Sequence, residues 1–312
     1  MPVKAVIVPR FGGPEVLELR ELPERRPGAD EVCIRVAAAV VNPVDLAMRA
    51  GRFPMGALPP PYILGMELGG VVEAVGAGVG HTRPGERVMA IVQPRRPEGG
   101  AQAELVVVPA DSVAPAPAGL SLPQAATLPM NGLTVRRALD LLALPAGATL
   151  WVTGGAGAVG GYAIQLGKVA GLEVVADAQP SDVALVRELG ADIVVPRGDR
   201  SAQAVREAVP AGVDAVLDGA VLGEAVLAAI REGGQLAAVR LFRGTAERGI
   251  RVHHVAVADY AHNRPALEEL GRLAAAGRLG PRVAETFAPA GAADAHRRLQ
   301  AGGVRGRLVI VF

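Results

Sequence analysis

A glycine-rich segment near the middle of the chain has the spacing of a dinucleotide-binding turn. Residues 155–160 read Gly-Ala-Gly-Ala-Val-Gly and follow the apolar segment Leu-Trp-Val-Thr-Gly. Glycine permits a tight turn, lets main-chain N–H groups approach a diphosphate without an intervening Cβ, and allows a helix to pack closely on a strand. The free N–H groups and the dipole at the start of the next helix favour an anion. A glycine turn that serves packing alone is the alternative. We therefore expect a diphosphate to be held by Gly155, Ala156, Gly157, Ala158, Val159 and Gly160.

One acidic residue bears on the choice of dinucleotide. Asp177 lies 22 residues after Gly155, close to the distance of about 20 at which a carboxylate binds the ribose 2′-hydroxyl of NAD. Taken alone, this spacing predicts NAD. The alternative is that Asp177 ends the second strand or caps a helix that starts near Ser181.

The second half of the chain alternates between strand and helix patterns. Val159, Ala163, Leu166 and Ala170 recur at helical spacing and form one apolar stripe on the first helix. Six apolar strands alternating with helices predict a parallel sheet covered on both faces. The segments that carry this pattern are LWVTG, AVGGYAIQLGKVAG, EVVADA, SDVALVRELG, DIVV, a helix near 200–208, VDAVLDG, EAVLAAIREGG, QLAAVR and RVHHVAV.

The first part of the chain has a different pattern. Between residues 3 and 117, short apolar runs are separated by glycine and proline, which predicts a partly closed, β-rich domain. Ser121 and Gln124 form a capping box that opens a helix, and a second helix is expected over residues 134–143. A helix at residues 265–276 and a final strand, RLVIVF, either extend the second domain or return to the first.

Composition limits the possible partners. The chain has 312 residues, which favours two domains. Its net charge of +1, without a run of like charge, argues against nucleic acid and against an anionic membrane surface. The single cysteine, Cys33, excludes an intrachain disulfide and a multi-cysteine zinc site. No signal peptide or long apolar run is apparent. We expect a cytoplasmic protein with a small-molecule ligand.

Seven sequence blocks in a fixed order resemble one family. The chain is similar to the zinc-independent quinone oxidoreductase branch of the medium-chain dehydrogenase/reductase superfamily. The resemblance implies an α/β protein in which a six-stranded Rossmann domain (122–258) is inserted in a β-rich GroES-like domain (1–121 plus 259–312). It also implies an NADPH-binding cleft between the domains and a homodimer. The blocks are AAAVVNPVDLAMRAGRFP, LGMELGGVVEAVGAGV, RPGERVMA, LPMNGLTVRRAL, VTGGAGAVGGYAIQLGKVAG, LGADIVV and VRGRLVIVF.

Two positions in these blocks bear on catalytic zinc. Zinc-dependent members carry a cysteine and a histidine where this chain has Asn42 and Met66. Neither a carboxamide nor a thioether is a competent zinc ligand. The resemblance therefore implies a protein without bound metal and without Lewis-acid catalysis.

The resemblance also assigns residues to the nicotinamide side of the cofactor. Asn42 and Asp45 are expected to position the reactants, with an Asn-Pro turn and a helix N-cap as the alternative. Thr134 is expected near the cofactor, and the loop of Asp218, Gly219 and Ala220 near the nicotinamide ribose. Arg307 corresponds to a basic residue close to the cleft, with a solvated strand-end charge as the alternative.

The adenosine end departs from the family pattern. NADPH-using relatives place a lysine and a tyrosine where this chain has Asp182 and Pro196, and Ala178 rather than Asp177 takes the place of the NAD-selecting acid. Arg197 can replace the missing contacts, because a guanidinium group suits phosphate. On balance we expect NADPH, with NADH as the alternative.

The acceptor pocket is expected to include Phe53, Tyr62 and Met66. Enoyl-reducing relatives place a proton-donating tyrosine where Phe53 stands, and phenylalanine has no proton to give. Quinone reduction needs less, because the product oxyanion is delocalised and solvent supplies the proton. For Tyr62, packing beneath a proline turn is the alternative.

These observations together predict a zinc-free, NADPH-dependent oxidoreductase that transfers hydride to a quinone or a similar electron-poor acceptor. One alternative is an NADPH-dependent reductase of enoyl or alkenal double bonds. The other is a dinucleotide-binding protein without catalytic activity. The last Rossmann strand, RVHHVAV, is the predicted edge through which two copies pair.

Overall fold

The computed structural model describes residues 2–312, which form sixteen strands and eight α-helices. The strands are β1 (Pro2–Val8), β2 (Glu18–Pro23), β3 (Glu31–Val41), β4 (Tyr62–Ile63), β5 (Glu67–Val75), β6 (Arg87–Ile91), β7 (Leu105–Pro109), β8 (Val113–Pro115), β9 (Thr149–Val152), β10 (Glu173–Ala178), β11 (Ile193–Pro196), β12 (Val213–Asp218), β13 (Ile230–Ala238), β14 (Arg251–His254), β15 (Val283–Phe287) and β16 (Arg307–Val311). The helices are α1 (Pro43–Arg49), α2 (Leu122–Ala125), α3 (Pro129–Leu142), α4 (Ala158–Val169), α5 (Val183–Glu188), α6 (Ser201–Ala208), α7 (Arg264–Ala275) and α8 (Ala292–Gln300).

The chain divides into two compact units, which we call the β-rich unit and the Rossmann unit. The β-rich unit comprises the residues up to Met130, together with Ala261–Gly277 and Pro281–Phe312. The Rossmann unit comprises Asn131–Tyr260 and Arg278–Gly280.

Two sheets build the β-rich unit. Six strands run in the order β15-β16-β3-β5-β6-β8, with β7 also paired to β3, and a smaller sheet has the order β2-β1-β4. Strand β16 pairs antiparallel with β3, so the tail of the chain returns to this unit. The inward-facing residues of β3 and β5, among them Ile34 and Leu68, are fully buried in the main core. This is the GroES-like architecture that the resemblance implied.

The Rossmann unit is a six-stranded parallel sheet in the order β11-β10-β9-β12-β13-β14. The central strands are buried on both faces, and Trp151 and Val216 have no exposed surface. This confirms the predicted α/β class. Strand order reverses between β9 and β12, and ligands of such sheets bind outside the carboxyl ends of the strands at that point.

Several predicted helices are present, but they begin or end at other residues than predicted. The capping box of Ser121 and Gln124 is present, but α2 has only four residues. The second predicted helix begins at Pro129, five residues earlier than expected, since proline is well suited to the first turn.

The predicted helix EAVLAAIREGG was wrong. Gly223–Ala229 forms 3₁₀ turns, and β13 begins directly afterwards at Ile230. Gly233 has φ +66°, a left-handed conformation that does not continue a helix. The last Rossmann strand is also shorter than the segment RVHHVAV, since β14 ends at His254. Over residues 2–312, every helix is too short or too polar to span a bilayer.

Candidate functional site

The predicted glycine loop connects β9 to α4 at the carboxyl edge of the Rossmann sheet. Gly154 has φ +69°, which favours glycine. A Cβ on Gly160 would lie 2.1 Å from the carbonyl oxygen of Gly154, whereas one on Gly157 would lie 3.1 Å from the same oxygen. Gly160 therefore permits close packing of the helix start on the turn, and Gly157 leaves a surface without a side chain.

The start of α4 can accept an anion. Its first helical hydrogen bond runs from the N–H of Gly161 to the carbonyl oxygen of Gly157 at 2.9 Å. The N–H groups of Ala158, Val159 and Gly160 therefore come before the first helical hydrogen bond. They lie at the positive end of the helix dipole. Residues 157–159 are only partly buried. The residues present thus fit the diphosphate of a dinucleotide.

Asp177 connects β10 to this loop. One carboxylate oxygen accepts the N–H of Gly154 at 2.6 Å, and the side chain is 2% exposed. Burial raises the pKa of Asp177 above its usual value, and the hydrogen bond from Gly154 opposes that change. The other carboxylate oxygen lies 3.9 Å from Nε of Arg197. Asp177 therefore holds the glycine loop in place, and its predicted ribose contact stays a prediction.

Arg197 lies just beyond the carboxyl end of β11, where it lines a cavity of about 530 Å³. Arg200 and Ser201 at the start of α6 line the same cavity, together with Asp199 and Glu207. Two arginines and two acidic residues thus line one cavity next to the carboxyl end of β11. Pro196, at which the resemblance implied a departure from NADPH-using relatives, is the last residue of β11.

The loop after β12 is fixed by a second carboxylate. Asp218 accepts the hydroxyl of Thr153 at 2.7 Å and the N–H groups of Leu222 and Gly223 at 3.0 and 2.9 Å. The Thr153 hydroxyl in turn accepts the N–H of Ala220 at 2.9 Å. A Cβ on Gly219 would lie 3.5 Å from the side chain of Val159. The predicted loop of Asp218, Gly219 and Ala220 therefore borders the glycine loop.

Sequence reasoning missed the role of Thr153. Its position, at the carboxyl end of an apolar strand and next to the glycine turn, was the available signal. The other predicted residue of this unit, Thr134, is buried in α3.

In the β-rich unit, Asn42 and Asp45 shape the start of α1. The carboxylate of Asp45 accepts the N–H of Asn42 at 2.8 Å and that of Gly65 at 3.0 Å. Both side chains are fully buried. Burial raises the pKa of Asp45 to about 7, against the lowering effect of these two N–H groups. In this geometry Asp45 fixes the helix cap and the Gly65 backbone, which agrees with the capping alternative and leaves the positioning role a prediction.

A buried ion pair adjoins Asn42. Arg307 bonds to the Glu67 carboxylate and to the Asn42 side-chain oxygen. Glu67 also accepts the side-chain amide of Asn42 at 3.3 Å and the N–H of Met130 at 2.8 Å. Burial raises the pKa of Glu67, opposed mainly by the Arg307 charge. Arg307 is 5% exposed, so the alternative of a solvated charge was wrong.

Sequence reasoning also missed Glu67 as a site residue. The signal for it was a charged residue in the otherwise uncharged run Leu-Gly-Met-Glu-Leu-Gly-Gly.

The predicted acceptor residues occupy two environments. Phe53 and Tyr62 pack against one apolar cluster that contains Met48 and Leu64. The guanidinium of Arg95 lies 5.3 Å from the centre of the Phe53 ring. Tyr62 donates its hydroxyl to the carbonyl oxygen of Leu58 at 3.2 Å, which supports packing at the proline turn. Met66 is separately buried and 6% exposed.

Potential metal ligands are dispersed in the part of the chain that the structure describes. No three histidine, cysteine, aspartate or glutamate side chains there lie close enough to hold an ion together. The carboxamide of Asn42 is bonded to Glu67 and Arg307.

Comparisons with known proteins agree with this architecture. The model of the alcohol dehydrogenase GroES-like domain matches residues 28–118, and that of the zinc-binding dehydrogenase family matches residues 189–310. The chain is similar to a probable oxidoreductase from Mycobacterium abscessus, with a TM-score of 0.85 and 31% identity over all of both chains. The quinone oxidoreductase from Coxiella burnetii gives a TM-score of 0.88 and 29% identity, again over all of both chains.

The alignments with several curated relatives cover only part of each relative. The chain is 33% identical to the NADPH-dependent alkenal/one oxidoreductase, chloroplastic, of Arabidopsis thaliana, over 76% of this chain and 62% of that protein. Across four such relatives the aligned part covers 54–62% of the relative's length.

A GroES-like unit joined to a Rossmann unit with a glycine loop at its switch point defines a class of dinucleotide-binding oxidoreductases. The chain belongs to the medium-chain dehydrogenase/reductase superfamily, within the group that contains the quinone oxidoreductases.

Proposed function

We propose that this protein is an NADPH-dependent oxidoreductase that transfers hydride to a quinone or a similar electron-poor acceptor. The observation that carries the proposal is the glycine loop, with the N–H groups of Ala158 and Val159 at the start of a partly exposed helix. With the dinucleotide bound at this loop, its reduced nicotinamide ring would supply the hydride. Residues 155–160 would hold the diphosphate.

The preference for NADPH is supported by the surroundings of Arg197. Its guanidinium group lies beyond the carboxyl end of β11, next to a cavity that Arg200 also lines. The carboxylate of Asp177 is bonded to the glycine loop, which makes it less available to a ribose hydroxyl. A 2′-phosphate near Arg197 would form a charge-assisted contact that NADH lacks.

The choice of a quinone is supported by what the buried acids do. Both carboxylate oxygens of Asp45 accept main-chain N–H groups, and Glu67 is paired with Arg307. Neither is exposed, and Phe53 cannot donate a proton. A quinone tolerates this, because its reduced oxyanion is delocalised and takes a proton from water.

A second candidate is the reduction of a double bond conjugated to a carbonyl. It is favoured by the similarity to the alkenal/one oxidoreductase of Arabidopsis thaliana. Here too the proton would come from water or from the substrate. We propose that, in either reaction, four residues help to position the nicotinamide side of the cofactor. They are Asn42, Asp45, Thr134 and Arg307.

We further propose that the protein works without zinc, as a homodimer in the cytoplasm. The occupied carboxamide of Asn42 and the thioether of Met66 support the first point, since neither suits zinc. The edge position of β14 in the Rossmann sheet supports pairing of two copies. Sedimentation equilibrium tests the dimer, and a monomer at micromolar concentration would contradict it.

The cofactor is tested by calorimetric titration of NADPH and NADH into the wild-type protein and two variants. Arg197→Ala should weaken NADPH about tenfold, as expected for one charge-assisted hydrogen bond, and change NADH by less than about twofold. Arg231→Ala is the matched control, because Arg231 forms an exposed pair with Asp214 in the same unit. Tighter binding of NADH, or equal losses for both cofactors, would overturn the preference.

The reaction is tested by following the nicotinamide absorbance with 1,4-naphthoquinone, 1,4-benzoquinone and 2-cyclohexenone. Turnover of the quinones supports the proposal, and turnover of the enone alone selects the second candidate. If NADPH binds but none of a panel of quinones and conjugated carbonyls is reduced, the protein is a dinucleotide-binding protein without this activity.

A further inference from the structure

The β-rich unit contains a cavity of about 590 Å³ that the proposed function does not use. All of the residues that line it belong to this unit. The strands of the smaller sheet contribute Val3, Leu22 and Ile63 to the lining, and β7 contributes Leu105 and Val107. The volume is within the usual range of pockets that bind small molecules.

This cavity differs from the candidate site described above. Of the predicted acceptor residues, Tyr62 lines it, whereas Phe53 and Met66 do not. Asn42 and Arg307 are likewise outside the lining, as far as the described residues define it. A ligand in this cavity would therefore occupy a second site, whatever binds the Rossmann unit.

Main-chain hydrogen bonds hold the strands around the cavity in place. Strand β1 pairs with β2 and β4, and β7 pairs with β3. The N–H of Val6 donates to the carbonyl oxygen of Gln102 at 2.9 Å, which connects β1 to the segment before β7. Because paired strands form much of the boundary, a ligand would bind without first ordering the chain.

The charged side chains of the lining leave one positive charge unbalanced. They are two arginines, Arg25 and Arg96, and one acid, Glu98, and the remaining lining residues are apolar or uncharged. The guanidinium of Arg25 lies 3.6 Å from the Glu98 carboxylate and donates to the carbonyl oxygen of Pro97 at 2.8 Å. The Arg25 side chain is 55% exposed, so water screens its charge.

Arg96 differs from Arg25 because its guanidinium group is mostly buried. The side chain is 15% exposed, and its Nη2 donates to the carbonyl oxygen of Val107. Its Nε is buried, makes no hydrogen bond within the described part of the chain, and lies 3.9 Å from Glu98. Burial lowers the pKa of Arg96, and the Glu98 charge opposes this change. Because a buried cation with an unused donor is costly, an anion beside it would be stabilised.

We propose that this cavity binds a monocarboxylate with an apolar chain, of the medium-chain fatty acid class, with the carboxylate at Arg96. One negative charge matches the one unbalanced positive charge, and the apolar lining matches the chain. The carboxylate accepts a charge-assisted hydrogen bond from the guanidinium group. This inference goes beyond the proposed function, because it requires neither a dinucleotide nor a hydride acceptor.

The probes are octanoate and octan-1-ol, each titrated into the protein by calorimetry at about pH 7.5, where a carboxylic acid is ionised. The two share an apolar chain and differ in charge. Octanoate should bind with a dissociation constant of about 1 mM or tighter. Octan-1-ol should bind about tenfold more weakly, because it cannot form the charge-assisted hydrogen bond.

Two variants test where the probes bind, and thermal unfolding checks that each variant is folded. Arg96→Met should weaken octanoate about tenfold and change octan-1-ol by less than about twofold. Leu58 is a partly buried residue of the lining. Leu58→Trp should weaken both probes at least about threefold, because the larger side chain takes up space in the cavity.

Arg35→Met is the matched control. Arg35 is an exposed arginine of β3 in the same unit, pairs with Glu73 and does not line the cavity. Both affinities of this variant should stay within about twofold of the wild type. A loss like that of Arg96→Met would show a general effect of surface charge and would overturn the inference.

Three other results would overturn it. One is the absence of saturable octanoate binding up to about 10 mM. Another is equal affinity for the two probes, or equal losses of both in Arg96→Met, since Arg96 then holds no carboxylate. The third is unchanged octanoate affinity in Leu58→Trp, which would place the ligand elsewhere and which decides the matter if Arg96→Met does not fold. No titration contains a dinucleotide, so failure here leaves the proposed function unaffected.

Discussion

Replacing Gly160 with alanine tests whether the start of α4 must approach the glycine loop as closely as it does. The added Cβ would lie 2.1 Å from the carbonyl oxygen of Gly154 and 2.7 Å from its carbonyl carbon. Both are backbone atoms, so no side chain can move aside. An ordinary carbon–oxygen contact needs about 3.3 Å, which requires a displacement of about 1 Å.

The expected cost follows from this displacement. Overpacking of a tightly packed site costs about 1–3 kcal/mol. For a unit of this size, that loss lowers the melting temperature by about 3–12 °C. The same displacement moves the N–H groups of residues 158–160 relative to the turn, so Gly160→Ala should also lose most of its affinity for NADPH.

Gly157 provides the contrasting variant. Its backbone is extended, with φ −71° and ψ 177°, a conformation that alanine adopts readily. The added Cβ would meet the Gly154 oxygen at 3.1 Å, a much smaller conflict. Because Gly157 is the helix N-cap, alanine should cost about 0.5–1 kcal/mol. It should nevertheless weaken NADPH at least about tenfold, because its side chain occupies the surface offered to the diphosphate.

The assay combines thermal unfolding with calorimetric titration of NADPH. Gly80→Ala is the control, since a Cβ there has no neighbour within 4 Å. It should lower neither the melting temperature nor the affinity for NADPH. Wild-type melting and wild-type affinity in Gly160→Ala would refute the packing argument. Wild-type affinity in Gly157→Ala would refute the placement of the diphosphate.

Two further predictions concern buried charges in the β-rich unit. Removing one partner of the Glu67–Arg307 pair with Arg307→Met should lower the free energy of unfolding, measured in urea, by about 3–5 kcal/mol. Adding Glu67→Gln should restore at least about 1 kcal/mol, because it removes the unpaired buried charge. Equal stability of the single and double variants would contradict this. His296 is fully buried beside Arg49, with its Nδ1 3.0 Å from the guanidinium, and burial lowers its pKa to about 3. Because the unfolded imidazole binds a proton below about pH 6.5 and the folded one does not, stability is lost as the pH falls toward 3, by about 2 kcal/mol between pH 8 and pH 5. His296→Asn should lose this pH-dependent part of the stability. If the variant loses as much stability between pH 8 and pH 5 as the wild type does, His296 is not its source.

The sequence was most informative where periodicity and glycine spacing act together. The alternation of apolar strands with helices predicted the six parallel strands, because a strand buried on both faces must be apolar throughout. The glycine loop was placed correctly between β9 and α4, since few other sequences permit so tight a connection. Helix limits were less accurate, as α3 shows.

What could not be predicted was the partner of each polar residue. Glu67 and Arg307 are 240 residues apart in sequence and meet only because β16 returns to β3 and β5 carries Glu67. No local pattern encodes such a meeting. The left-handed backbone of Val221, with φ +59°, was equally hidden, because valine itself disfavours it and the next two N–H groups are held by Asp218.

The buried acids described in each of the two units share one structural use. Asp45, Asp177 and Asp218 each accept main-chain N–H groups of a neighbouring turn, and Glu67 accepts that of Met130 in addition to its ion pair. A carboxylate used in this way fixes the backbone of the turn that it contacts. In the Rossmann unit, the start of α4 offers main-chain N–H groups to an anion. Under the proposed function, the acceptor would therefore take its proton from water, which a quinone permits because its reduced oxyanion is delocalised.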